Sequence, residues 1–198
     1  MTSHMSRGYH HGELRAALVR AARELIAERG AAEFSVAEVA RRCGVSSAAP
    51  YRHFTDRNAL LAAVALSVAH ELHDEVTAAT ARHTDPARRL AGAAAAYTRY
   101  LIRHGTGLPT VFAGPLRGDR FPELRTAGRE LTDEYLSLCF AVSPSAERAL
   151  LLLEQLLTQA HGYATFYLDG VLSMQGYDLD VVAAKSAEAA LTIINGSR

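Results

Sequence analysis

The chain has 198 residues, enough for one substantial hydrophobic core or two modest ones, and a composition of 49% hydrophobic and 21% charged residues excludes a disordered chain. Its net charge is zero, but residues 1–60 hold nine arginines against six acidic residues, a net of +3, and the remainder carries −3. No apolar run of about 18 residues is present and no apolar signal core opens the chain, so no membrane span is expected and the expected compartment is the cytoplasm.

Alanine and leucine are abundant and Trp is absent, which favours helix over sheet. Leu14, Leu18, Ala21, Ala22 and Leu25 recur at helical spacing and predict a first helix from about Glu13 to Arg29, closed by Gly30. Ser35 with Glu38 three residues later reads as a capping box, and Phe34 with Val39 as its staple. They open a short second helix whose inner face is Val36, Val39, Ala40 and Cys43, after which Gly44 reverses the chain. Ser46 is expected to cap a third helix from about Ser47 to Phe54, and Thr55 or Asp56 a long fourth with Leu60, Val64, Val68, Leu72 and Val76 on one face. Asp85-Pro86 opens a helix to about Arg103, in the order of cap then N1 proline. Residues 104–121, rich in Gly and Pro, read as loop with a short helix near Thr110–Ala113. Helices then follow from Pro122 to Phe140, from Ser143-Pro144 to Leu168 and from Leu179 to Ile194. The expected fold class is all-α, with about nine helices and no strand.

Between Ser35 and Phe54, two short helices are joined by the tight turn Cys43-Gly44-Val45-Ser46. That is the spacing of a helix-turn-helix, in which the first helix braces and the second enters a DNA major groove about 12 Å wide. Ser46, Ser47, Tyr51, Arg52 and His53 put hydrogen-bonding groups on a very short element, and Ala48 and Ala49 permit close approach. A mildly basic head on an acidic body suits the same reading. Arg7, ahead of the first expected helix, belongs either to an arm reaching a minor groove or phosphate or to a disordered tail.

The run Phe34-Ser35-Val36-Ala37-Glu38-Val39-Ala40-Arg41-Arg42-Cys43-Gly44-Val45-Ser46, continued by Tyr51-Arg52-His53-Phe54 and Asn58-Ala59-Leu60-Leu61, resembles the N-terminal domain of the TetR family of bacterial repressors over about residues 9–65. The resemblance implies a three-helix DNA-binding head, taken as residues 1–60, and a larger helical domain, residues 61–198, that binds a small-molecule effector and forms a homodimer. It implies a phosphate contact for Ser35, a recognition helix carrying Ser46, Ser47, Ala48 and Tyr51 with His53 near its end, base-edge positions for Ser47 and Ala48, and backbone contacts for Tyr51 and His53. The family often carries a lysine at the start of the fourth helix; Thr55-Asp56-Arg57 stands there, and Arg57 is the candidate for its phosphate role. Pro50 also departs from the commonest pattern and lacks the N–H that would bond to Ser46.

In the C-terminal half, Gln159-Ala160-His161-Gly162-Tyr163 resembles a subgroup with a His-Gly pair in its penultimate long helix. The family resemblance implies a four-helix dimer bundle from the last two long helices, with Leu150, Leu153, Leu156, Leu157, Val181, Ala184, Leu191 and Ile194 as the apolar face. Candidates for lining an effector cavity are Tyr97, Leu101, His104, Phe112, Tyr135, His161 and Phe166, with Tyr100, Phe140, Tyr163 and Tyr167 in the wider set; the same residues at helical spacing would equally make an ordinary core.

Cys43 and Cys139 read as two separate thiols, and the sequence holds no GxSxG, P-loop, HExxH, GxGxxG after a strand or cysteine zinc pattern. No catalytic residue, cofactor or metal site is therefore assigned. The expected function is a ligand-responsive regulator, a repressor by resemblance, on a palindromic double-stranded operator. The alternatives are a helical small-molecule-binding protein whose head no longer binds DNA, and a DNA-architectural protein without a ligand.

Overall fold

The computed structural model describes residues 5–196, with side chains from Gly12 onward. Among the described residues there are eight α-helices, three short 3-10 turns and no strand. The helices are α1 (Met5–Arg29), α2 (Val36–Arg42), α3 (Arg57–Thr80), α4 (Pro86–His104), α5 (Leu108–Val111), α6 (Pro122–Phe140), α7 (Ala146–Leu168) and α8 (Leu179–Gly196). No helix is long and apolar enough to cross a membrane.

The helix starts follow the polar caps written in the sequence. Ser35 accepts from the Glu38 amide at 3.1 Å, Asp56 from Ala59 at 2.9 Å and Asp85 from Arg88 at 2.9 Å, each satisfying an amide that the first helical turn leaves unpaired. Three boundaries differ from expectation. α1 begins at Met5, so the segment expected to be an arm or a disordered tail is helical backbone; the side chains of Arg7, His10 and His11 lie outside the described residues. α5 starts at Leu108, two residues early. α7 is capped by Ser145, which accepts from Arg148 at 3.3 Å, and Ser143-Pro144 stays ahead of the helix.

One apolar cluster runs through head and body, from Leu18, Leu25, Val39 and Phe54 to Leu131, Leu152 and Ile194. α3 carries it across: its buried residues run from Leu60 and Leu61 through Val68 and Leu72 to Val76, and the helix packs against α1 of the head and α4 and α6 of the body. The boundary expected after residue 60 thus falls inside a continuous helix. α4 lies at the centre, packed against α3, α7 and α8, while α6 packs against α3 and α7.

Head and body also meet at a polar joint. Arg23 of α1 donates to Glu71 of α3 at 2.6 and 2.8 Å and to the Tyr100 hydroxyl of α4 at 2.8 Å, and that hydroxyl donates to Glu71 at 3.1 Å. Burial pushes the Tyr100 hydroxyl well above its ordinary pKa, so it stays protonated and able to donate. Beside this triad, Gly105 ends α4 in the left-handed region at φ +62°, and a Cβ placed there would lie 2.8 Å from the Ala27 Cβ of α1.

Candidate functional site

The turn after α2 is a Schellman motif. Gly44, at φ +66°, donates to the Arg41 carbonyl at 3.1 Å, and Val45 donates to Ala40 at 3.0 Å. The third helix expected from Ser47 to Phe54 does not form as an α-helix. Residues Pro50–Arg52 make a single 3-10 turn, with Ala49 bonded to Ser46, Arg52 to Ala49 and His53 to Pro50. The reason is local: Pro50 has no N–H to give Ser46, so the i→i−4 ladder lacks that rung and the tighter i→i−3 pattern takes over. Ser46 consequently caps nothing with its side chain; the residue before the turn is Ala49, without a side-chain cap bond.

This turn is anchored from below and polar above. Pro50 and Phe54 are buried, whereas Ser46, Ser47, Ala48, Tyr51 and Arg52 are exposed, Tyr51 by 57%. His53 is half-buried with its ring tilted against Phe54. Ser35 is exposed at the start of α2; its oxygen accepts from Glu38, leaving its hydroxyl hydrogen to donate outward. The capping box is only half made, because the Glu38 carboxylate turns to Arg29 at 3.0 Å and Arg41 at 3.2 Å.

Arg57 is not displayed as a surface cation. Its Nε donates to the Phe34 carbonyl at 3.1 Å, its Nη2 to Ala31 at 2.5 Å and to Ala32 at 2.9 Å, and the guanidinium sits 4.4 Å over the Phe34 ring. It ties the α1–α2 loop to the start of α3. Outside, Arg42 bonds Glu28 at 2.6 Å and fixes α2 against α1; that contact holds the Glu28 carboxyl below its usual range.

Residues 18–64, from mid-α1 to the first two turns of α3, match the sequence model of the bacterial regulatory proteins of the tetR family. That segment is similar to the DNA-binding domain of the tetR family. The match spans α2, the Schellman turn and the 3-10 turn. Solved structures share the full fold. A protein of unknown function from Rhodococcus sp. RHA1 aligns with a TM-score of 0.71 at 28% identity, over 96% of this chain and 98% of its own. A tetR-family transcriptional regulator from Streptomyces coelicolor gives 0.67 at 21%, over 94% and 82%. The regulator FadR from Bacillus subtilis, solved in complex with stearoyl-CoA, gives 0.62 at 19%, over 89% and 97%. No curated protein matches in sequence.

The residues expected to line an effector cavity are not gathered in one place. Tyr97, Leu101 and Tyr135 are core, Tyr97 with only 1% of its surface exposed. The Tyr97 hydroxyl lies 2.8 Å from His161 Nδ1, and the space beside Tyr97 and Tyr135 amounts to about 10 Å³, room for one water at most and far too little for an effector. His104 stacks at a tilt on Tyr100 in the head–body joint, with ring centroids 4.6 Å apart. Phe166 is 57% exposed on α7. Of the set, only Phe112 borders a roomy cleft, of about 320 Å³, between α5 and α6. Sequence reasoning missed the rest of that cleft, above all Arg117, Arg129 and Gly128. The signal was present as basic residues interleaved with glycines in the 104–121 loop and on the first turns of α6, but helical periodicity does not report which loop folds over which helix.

The face expected to form a dimer divides. Leu150, Val181 and Ala184 are exposed and Leu153, Leu157 and Leu191 half-buried, but Leu156 and Ile194 point into the protomer's own core. Their inward position follows from α7 and α8 packing on α4 as well as on each other. Gly162, whose Cβ position meets no atom within 4 Å, leaves an open notch in the C-terminal third of α7.

Proposed function

We propose that the protein is a ligand-responsive transcriptional regulator, acting by default as a repressor, that binds a palindromic operator as a homodimer and is released by a small-molecule effector. The head through residue 60 reads DNA and the remainder binds effector and partner, with α3 shared between them. The observation that carries the reading is the turn at residues 46–53, pinned by buried Pro50 and Phe54 and presenting Ser46, Ser47, Ala48, Tyr51 and Arg52 outward.

In this reading Ser47 and Ala48 meet base edges, while Ser35, Tyr51, Arg52 and His53 bond phosphates and set the register. Arg57 is given a positioning role, holding the loop that aims α2, in place of a direct phosphate contact. The exposed side of α7 and α8, with Leu150, Leu151, Gly162 and Val181, supplies the dimer contact. Two copies then offer their turns to successive major grooves about 34 Å apart. The effector acts through the helices that touch the head, and a coupling of about 1–3 kcal/mol between the two sites shifts operator occupancy roughly five- to hundredfold. The protein works where its DNA lies, in the cytoplasm, and no catalytic step is assigned to it.

Fluorescence anisotropy on the DNA upstream of its own gene, against a scrambled duplex at about physiological salt, tests this. Binding about a thousandfold tighter to the upstream DNA with two subunits per site is expected. Equal weak binding to both duplexes, with operator occupancy confirmed by footprinting in cell extract, overturns it.

A further inference from the structure

The cleft between α5 and α6 differs in chemistry from the closed aromatic interior. Its floor is Val111, Leu116 and Leu124, all buried, and half-exposed Phe112 forms one wall. Gly128 sits on that floor: a Cβ there would meet only the Phe112 ring, at 3.6 Å, and Val111, at 3.8 Å. The glycine therefore keeps open space that any larger residue would fill.

Three arginines stand at the rim. Arg125 is neutralised by its ion pair with Asp119. The side chains of Arg117 and Arg129 make no hydrogen bond or ion pair among the described residues, and the facing acidic group in the lining is Asp133. Two guanidiniums free of ion pairs, against the one carboxylate of Asp133, leave a net positive rim over an apolar floor and attract an anion that carries an apolar body, since Arg presents a forked donor set to carboxylate or phosphate and the floor gains by losing its water. A cleft of about 320 Å³ falls in the size range of small-molecule sites.

We propose that this cleft binds an anionic amphiphile, with Arg117 and Arg129 holding the anionic group and Phe112, Leu116, Leu124 and the open face of Gly128 taking the apolar part. The inference rests on the regulator reading for its consequence, because it names the effector class and where it enters. The same loop reaches the head. Arg120, three residues after Arg117, pairs with Asp56, the cap of α3, and Leu124 borders both this cleft and the groove between α6 and the head at Phe54 and Thr55. An anion drawing Arg117 toward Arg129 thus shifts the segment that also grips the first turn of α3.

The test is calorimetric titration of the full chain with decanoate and with uncharged 1-decanol. Decanoate is expected to bind at least tenfold more tightly than decanol. The double variant Arg117→Gln/Arg129→Gln is expected to lose at least tenfold for decanoate, and Gly128→Leu, which fills the floor, as much again for both probes. Helix content and thermal midpoint are checked for each variant; the arginine pair is exposed, so that variant folds even if the glycine variant does not. Equal affinity for the two probes, no decanoate binding, or decanoate affinity within twofold of wild type in the folded arginine variant overturns the proposal. Operator binding without any probe is measured alongside. If it persists while decanoate fails, only the cleft assignment falls; if it is absent while decanoate binds as expected, the regulator reading falls alone.

Discussion

Replacing Gly105 by Ala should loosen the joint between head and body. Two separate costs arise at that position. The backbone stands at φ +62°, where an L side chain costs roughly 1–2 kcal/mol. The new methyl would also lie 2.8 Å from Ala27 Cβ and 3.4 Å from its Cα, against the 3.5–4.0 Å or so at which carbon pairs attract. Ala27 is on helix α1 and cannot swing away as a long side chain would, so overpacking of about 1–3 kcal/mol is expected. Together these approach half the stability of a marginal protein. Urea denaturation of Gly105→Ala, Ala27→Gly and the double variant separates the two. Ala27→Gly removes the colliding methyl and leaves the backbone cost, so the cycle should show a favourable coupling of about 1–3 kcal/mol. A coupling below about 0.5 kcal/mol would mean that α1 and α4 do not approach each other as described.

Three other outcomes are expected. Tyr51→Phe should leave stability unchanged, since Tyr51 is mostly exposed, and weaken operator binding roughly tenfold through the loss of a charge-assisted hydrogen bond; unchanged anisotropy would remove Tyr51 from the interface. Arg57→Lys should cost about 1–3 kcal/mol in denaturation, because an ammonium cannot bridge the Phe34, Ala31 and Ala32 carbonyls together, whereas wild-type stability with normal DNA binding would show that only its charge matters. Burial lowers the pKa of both His161 and His104 below the ordinary value of about 6.5, with Arg23 adding to the effect at His104. Below that pH the unfolded chain binds protons that the native one resists, so stability should fall as pH drops from about 7.5 to 5.5 and fall less in His161→Gln. Equal urea midpoints across that range in the wild type would refute it.

The helix starts at Ser35, Asp56 and Asp85 and the chain reversal at Gly44 were legible because each depends on one residue's own chemistry and its nearest neighbours. The shortened reading turn was half legible: the missing N–H of Pro50 could be read, but not that the surrounding bonds would tighten to a single 3-10 turn. The partners of Arg57 were not legible because they are main-chain carbonyls 23 to 26 residues back, which no side-chain pattern encodes. Tyr97 and Tyr135 had the right spacing for either cavity or core, and only the packing of α4 against α6 and α7 decides for core. Leu156 was placed on an outer face although α7 has apolar neighbours on more than one side, so periodicity alone could not choose between them.

The brevity of the reading element has a further consequence. Residues 46–53, at about 2 Å each for tight turn backbone, extend at most roughly 16 Å, while one base pair occupies about 3.4 Å of duplex. Each subunit therefore addresses on the order of four or five base-pair steps with that segment, too few to single out one locus in a genome. Discrimination must then be multiplied across the pair of subunits, so that the distance between two short words, kept by the rigid frame behind them, carries as much of the address as the letters do.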